Sequence, residues 1–210
     1  MLLNRHDFSS EVIYTKMKAT KITKVLGKVV GELAAQLDVK EKNQDKVLSL
    51  SREFIRDCAK AIRHLHTENP TEAKELMSGM KKKLVELKKV GENFPHILDT
   101  PMQEYAEIMI FSAIVDKKEI PTPEDLDITV SSYLGGFLDC SGEVRRALQL
   151  ALKEGKYDDA EYYFKCMNEI YDEMMLLKYS ASLVGNLKRK QDVLRGQLEH
   201  ARSEMLRVAK

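Results

Sequence analysis

The sequence predicts an all-α protein, a bundle of about seven long antiparallel helices forming one domain over residues 1–210. Three observations carry this. Apolar residues recur at steps of three and four along most of the chain, and the alternation of a half-buried strand is almost absent. Leu, Lys, Glu, Met and Ala, all good helix formers, are plentiful. Gly and Pro number only 10 and 5 among 210 residues, so helices are seldom interrupted.

The first helix is expected from about Ser9 to Leu37, with Ile13, Met17, Ile22, Val25, Val29 and Leu33 along one side. A second, about Lys42 to His66, turns Val47, Leu50, Phe54, Ile55, Cys58, Ile62 and Leu65 inward. Asn-Pro-Thr at 69–71 breaks the chain, and Thr71 can cap a third helix that continues to Val90. GENFPHILDTP at 91–101 reads as irregular, and a fourth helix follows from Pro101 to Asp116. KKEIPTPEDLD, with two prolines among charges, is the clearest connector. A fifth helix runs from about Thr129 to Glu154 and is stopped by Gly155. The sixth spans Tyr157 to about Ser180. The seventh, Leu187 to Arg207, sets Leu187, Leu194, Leu198 and Leu206 at coiled-coil-like steps. Helices one and seven carry apolar stripes that need a partner, so oligomerisation is expected.

Charge and cysteine content narrow the function. A net charge of +1 means that any nucleic-acid site must be a local patch and not a global field. Cys58, Cys140 and Cys166 show no CxxC or Cys/His ligand spacing, which argues for reduced thiols and a cytoplasmic protein. MLLNRHDFSS has no apolar core long enough for a signal peptide, and no apolar run is long enough to span a membrane.

The chemistry lies in two acidic pairs. In QEYAEIMIFSAIV (103–115), Glu104 and Glu107 head an apolar run. With Glu104 placed at zero, Ile108, Phe111 and Val115 fall within about 40° of it and Glu107 about 60° to one side. Both carboxylates therefore border the apolar stripe, where an unpaired charge is costly. In YLGGFLDCSGEVRR (133–146), Asp139 and Glu143 share a face with Gly135, Gly136, Gly142 and Arg146. Leu134, Phe137, Val144 and Leu148 lie towards the other side. Each of the three glycines costs about 1 kcal/mol relative to Ala in a helix, a cost that close approach of another helix or a ligand would justify. Two helices, each with a carboxylate pair, can converge on a divalent cation, and an oxygen-only donor set favours Mg²⁺, or Mn²⁺, over zinc. Such a site suits phosphate-ester hydrolysis, and Arg146 could contact a phosphate. The commoner use of either pair alone is a solvated helix face or a simple ion pair with Arg145 or Arg146.

KVLSLSREFIRDCAKAIRHLH, EYAEIMIFSAIV and YLGGFLDCSGEVRRALQLALKEGKYDDAE, in this order and spacing, resemble the translin superfamily over about residues 40–205. They are most similar to its translin-associated factor X (TRAX) branch. The resemblance implies a seven-helix subunit assembling into a hollow octameric barrel. It also implies a Mg²⁺-dependent endoribonuclease, with Glu104, Glu107, Asp139 and Glu143 as the catalytic, metal-holding acids. Translin itself, which binds nucleic acid, lacks the full acidic set. The chain departs from animal TRAX in lacking an insertion between the fourth and fifth helices. Such brevity suits a homo-oligomer, with a hetero-oligomer containing a translin-like subunit as the alternative.

On the second helix, Arg52, Arg56, Lys60 and Arg63 recur at helical steps and form a basic stripe able to neutralise RNA phosphates. A solvated face with Glu53 and Asp57 as partners would look the same. His64 and His66 have no carboxylate or Cys partner in ligand spacing and are not read as metal ligands. The leading function is therefore cleavage of single-stranded RNA, or of single-stranded parts of structured RNA. The competitors are a non-catalytic single-stranded RNA- or DNA-binding barrel and an all-α nucleotide pyrophosphohydrolase.

Overall fold

A computed structural model describes residues 21–67 and 69–208. These residues form helices α1 (Lys21–His66), α2 (Pro70–Val90), α3 (Pro95–Val115), α4 (Pro123–Leu126), α5 (Val130–Lys153), α6 (Tyr157–Met174), α7 (Ala181–Val184) and α8 (Leu187–Val208). No strand occurs among them. No helix among them is long and apolar enough to cross a membrane. The chain divides into two compact units between Asn43 and Gln44.

In the first unit, Ile22, Val25, Val29 and Leu33 recur on the helix and are all exposed, between 44% and 71%. This is the stripe expected to need a partner; Ile13 and Met17 lie outside the described residues. The break expected between Leu37 and Lys42 is absent, because α1 runs through it. Asp38-Val39-Lys40-Glu41 contains neither Gly nor Pro, and nothing in it stops helical hydrogen bonding.

In the second unit, α3 and α5 form the centre. α3 is buried almost all round: Ile108, Ile110 and Phe111 have no exposed surface. Burying a side chain of this size stabilises by roughly 1.5–3 kcal/mol. α3 starts at Pro95, six residues earlier than expected, and keeps Pro101 inside. Pro95 sits at a first-turn position, where its missing N–H costs nothing. Burial of Leu98, Pro101 and Met102 holds the following turn helical through the internal proline. α5 packs against α3 on one side and against α6 and α8 on others. The C-terminal part of α1 joins the same core through Val47, Phe54, Cys58 and Ala61, with Phe54 edge-on to Tyr105 at 6.0 Å.

Helix ends follow sequence closely at two places. α5 stops in a Schellman motif: Lys156 N–H donates to Ala151 O at 2.9 Å, and Gly155 adopts φ +70°. The connector holds one helical turn, α4, fixed by a capping box in which Thr122 and Asp125 bond each other's backbone N–H. α6 ends at Met174, earlier than expected, and the chain turns through α7 to Gly185 at φ +56°. The α8 seam of Leu187, Leu194 and Leu198 is buried within the chain's own core, which corrects the expectation that it needs an outside partner; only Leu206 stays exposed.

Candidate functional site

The α3–α5 crossing is unusually close, and glycine makes it so. A Cβ on Gly136 would meet the Gln103 carbonyl oxygen and lie 2.7 Å from Ala106 Cβ and 2.9 Å from Glu107 N. Gly135 lies against the Gln103 side chain, and Gly142 against Gln197. Glu104 and Glu107 stand on one side of this crossing and Asp139 and Glu143 on the other. The structure thus brings both predicted pairs into one electrostatic neighbourhood.

The charges are felt across the crossing. Desolvation, then the Asp139 charge, raises the pKa of Glu104; Glu143 adds to this and Lys190 opposes it. Glu107 is pushed from the ordinary carboxylate range to about 8, first by burial and then by repulsion from Glu104, Asp139 and Glu143. One fixed cation offsets part of this repulsion. Lys190 of α8 pairs with Asp139 and also donates to Gln103 Oε1 at 2.9 Å and to Gly135 O at 3.1 Å. Sequence reasoning missed Lys190, which sits in a Lys-Arg-Lys run indistinguishable from ordinary surface.

Glu143 is held from another direction. His66 Nε2 donates to Glu143 Oε2 at 2.6 Å, and the His66 side chain is only 2% exposed. Its ring lies 4.9 Å from that of Phe111. No carboxylate stands in ligand spacing to His66 along the chain; its partner is 77 residues away, beyond any local spacing rule. Arg146 is exposed and 3.9 Å from Glu143, at the rim of the acidic group.

The donor set suits a hard divalent cation: oxygen ligands only, in excess of the positive charge around them. Among the described residues, however, no three His, Cys, Asp or Glu side chains are already gathered in a metal-holding arrangement. Lys190 accounts for part of this, since it engages Asp139 directly.

The basic stripe is where the spacing puts it. Arg52, Arg56, Lys60 and Arg63 are all exposed on α1. The acids that could have neutralised it mostly turn elsewhere: Asp57 pairs with Lys83 of α2 at 2.6 Å, and Glu53 lies 3.9 Å from the same Lys83. Lys60 keeps a loose 3.9 Å contact with Asp57. The three arginines form no ion pair among the described residues, and the stripe ends one turn before His66.

Comparison with known proteins bears on this arrangement. The sequence pattern of the Translin family matches residues 80–203, which include all four acids and Lys190. An uncharacterized protein of Methanocaldococcus jannaschii is 34% identical over 172 residues, covering 80% of this chain and 77% of that protein. Among solved structures, AfC3PO in complex with duplex RNA is 26% identical, with a TM-score of 0.74, covering 86% of this chain and 97% of that one. A crystal structure of AfC3PO is 28% identical with the same TM-score, covering 86% of this chain and 98% of that one. Apo-NeC3PO, 18% identical with a TM-score of 0.74 over 84% of this chain and 95% of that one, shares the fold.

Proposed function

This chain belongs to the Translin family, and we propose that it is a Mg²⁺-dependent endoribonuclease of the TRAX type acting on single-stranded RNA or on single-stranded parts of structured RNA. The observation that carries this reading is the approach of Glu104, Glu107, Asp139 and Glu143 at a glycine-lined crossing, where burial and then mutual repulsion raise the Glu107 pKa to about 8. Four acids beside buried surface are costly in a merely structural role, even with Lys190 and His66 as partners. These four residues would hold Mg²⁺, with Mn²⁺ as a substitute. The ion supplies charge neutralisation at the phosphate and acidifies water. One of these carboxylates would take the proton lost by the attacking water. His66 fixes the orientation of Glu143 through its 2.6 Å bond. Arg52, Arg56, Lys60, Arg63 and Arg146 hold substrate phosphates. The exposed row Ile22, Val25, Val29 and Leu33 supports assembly of several copies, as a homo-octamer by analogy with the family's barrel.

The test is incubation of labelled single-stranded RNA, duplex RNA and nucleoside triphosphates with Mg²⁺, Mn²⁺ or EDTA. Cleavage of single-stranded RNA is expected with either metal, and none with EDTA. Glu107→Gln and Asp139→Asn should abolish cleavage while retaining RNA binding and assembly; full activity in either variant rejects the assignment. One observation favours a second reading. The Lys190–Asp139 pair, together with the lack of a ready-made metal-holding group, suits a barrel that binds nucleic acid without cutting it. Salt-sensitive RNA retention with no metal-dependent products would establish that reading instead.

A further inference from the structure

A cavity of about 350 Å³ adjoins the carboxylates, closed by α3, the start of α5, α7 and the start of α8. Its volume lies in the range of sites that hold small ligands. Asp99, Gln103, Ser131, Ser132, Asn186 and Lys190 line it. Lys190 belongs to both places: the ammonium that pairs with Asp139 also faces the cavity. A molecule in the cavity would therefore share Lys190 with the proposed reacting centre.

The lining selects a chemical class. Besides the aliphatic side chains of α7 and Leu187 it contains hydroxyls, amides, a carboxylate and an ammonium, and no aromatic ring. Bases are gripped without sequence preference by stacking on aromatic side chains, which this cavity lacks. Sugar hydroxyls are recognised by carboxylates and amides, and phosphate by N–H donors; Lys190 already spends its three on Asp139, Gln103 and Gly135, so the amide N–H groups are the ones left. Donors and acceptors remain to be used. Gln103 commits Oε1 to Lys190, and neither its Nε2 nor the Asn186 side chain has a protein partner among the described residues. Asp99 receives only a long 3.4 Å bond from Ser132 Oγ.

We propose that this cavity holds the ribose and phosphate of the nucleotide next to the scissile bond, that Asp99 accepts a hydrogen bond from its 2′-hydroxyl, and that the cavity thereby selects RNA over DNA. The inference rests on the nuclease reading for the word scissile, but the binding site is testable without cleavage. The 2′-hydroxyl is the group by which a protein distinguishes the two nucleic acids at one position.

The full chain in EDTA is titrated by calorimetry with ribonucleoside 5′-monophosphates and with their 2′-deoxy counterparts. Saturable binding is expected, with the deoxy forms weaker by about fivefold or more. Asp99→Ala, which removes the acceptor at an exposed position, should bring the two sugars to within about twofold while retaining binding. Ser182→Trp, exposed on the rim, should fill the cavity and remove binding of both. Equal affinity for the two sugars in the wild type, absence of saturable binding, or unchanged binding in Ser182→Trp would each overturn the inference. RNA cleavage is measured in parallel with the same preparations. Cleavage without sugar discrimination sinks the cavity assignment and leaves the nuclease standing; discrimination without cleavage sinks the nuclease and leaves a ribonucleotide site.

Discussion

Glu107 is the side chain on which the site's electrostatics can be read most directly. Its folded-state pKa is about 8 against an ordinary value of 4.5. Between those two pH values the native protein retains a proton that the unfolded chain releases. Stability should therefore fall as pH rises through this window and stay flat outside it, and the total loss is of the order of a few kcal/mol. Glu107→Gln removes the titration. In EDTA, its urea midpoint should change less between pH 5 and pH 8.5 than that of the wild type; parallel curves would show that the carboxylate is not held in a repulsive field. Added Mg²⁺ at pH 8 should raise the wild-type melting temperature through preferential binding to the native state, and should do so less in Glu107→Gln. At this scale the acids were legible in the sequence because carboxylates beside an apolar stripe break the amphipathic pattern. Their counter-charges were not. His66 and Lys190 reach the site from 77 and 51 residues away, respectively, and nothing local separates them from surface histidines and lysines.

At the scale of helices, the same residue type has three different tasks. Gly136 permits backbone contact between α3 and α5, so Gly136→Ala must push the helices apart. It should cost more than about 2 kcal/mol and weaken the coupling between the acidic pairs. Gly142→Ala meets only the Gln197 amide at 3.2 Å, a side chain that can move, and gains helix propensity. It should lie within about 0.5 kcal/mol of the wild type. Gly155 has open space around it but a positive φ, so Gly155→Ala should cost about 1 kcal/mol from backbone strain alone. Chemical denaturation of the three variants checks this order, and a Gly136→Ala protein as stable as the Gly142→Ala one would remove the close-crossing explanation. Sequence captured these helices well where a stop signal has a mechanism, as at Gly155. It failed where burial overrides a weak signal. The proline at 101 looks like a start but sits inside α3, and the polar stretch after Leu37 looks like a break but continues α1.

For the whole molecule, the proposed function requires a chain with a net charge of only +1 to hold a polyanion. The answer offered by α1 is local excess, since Asp57 and Glu53 turn to Lys83 and leave Arg52, Arg56 and Arg63 unneutralised. Replacing any one of these arginines by Ala should weaken binding of single-stranded RNA and lower the slope of log K against log salt by about 0.7. Fluorescence anisotropy over a salt series measures both, and an unchanged slope in all three variants would clear the stripe of phosphate contact. Which face of α1 is basic follows from residue spacing; that its acids are engaged elsewhere depends on α2, which no spacing encodes. α1 has one more consequence. A helix is a stiff rod, and this one carries its cationic stripe along the shaft while its tip, His66, is latched to Glu143. Under the proposed function, phosphates along the shaft would lie on the same rigid element as the residue that orients Glu143. A substitution that bends α1 should then disturb both the stripe and the placement of that carboxylate.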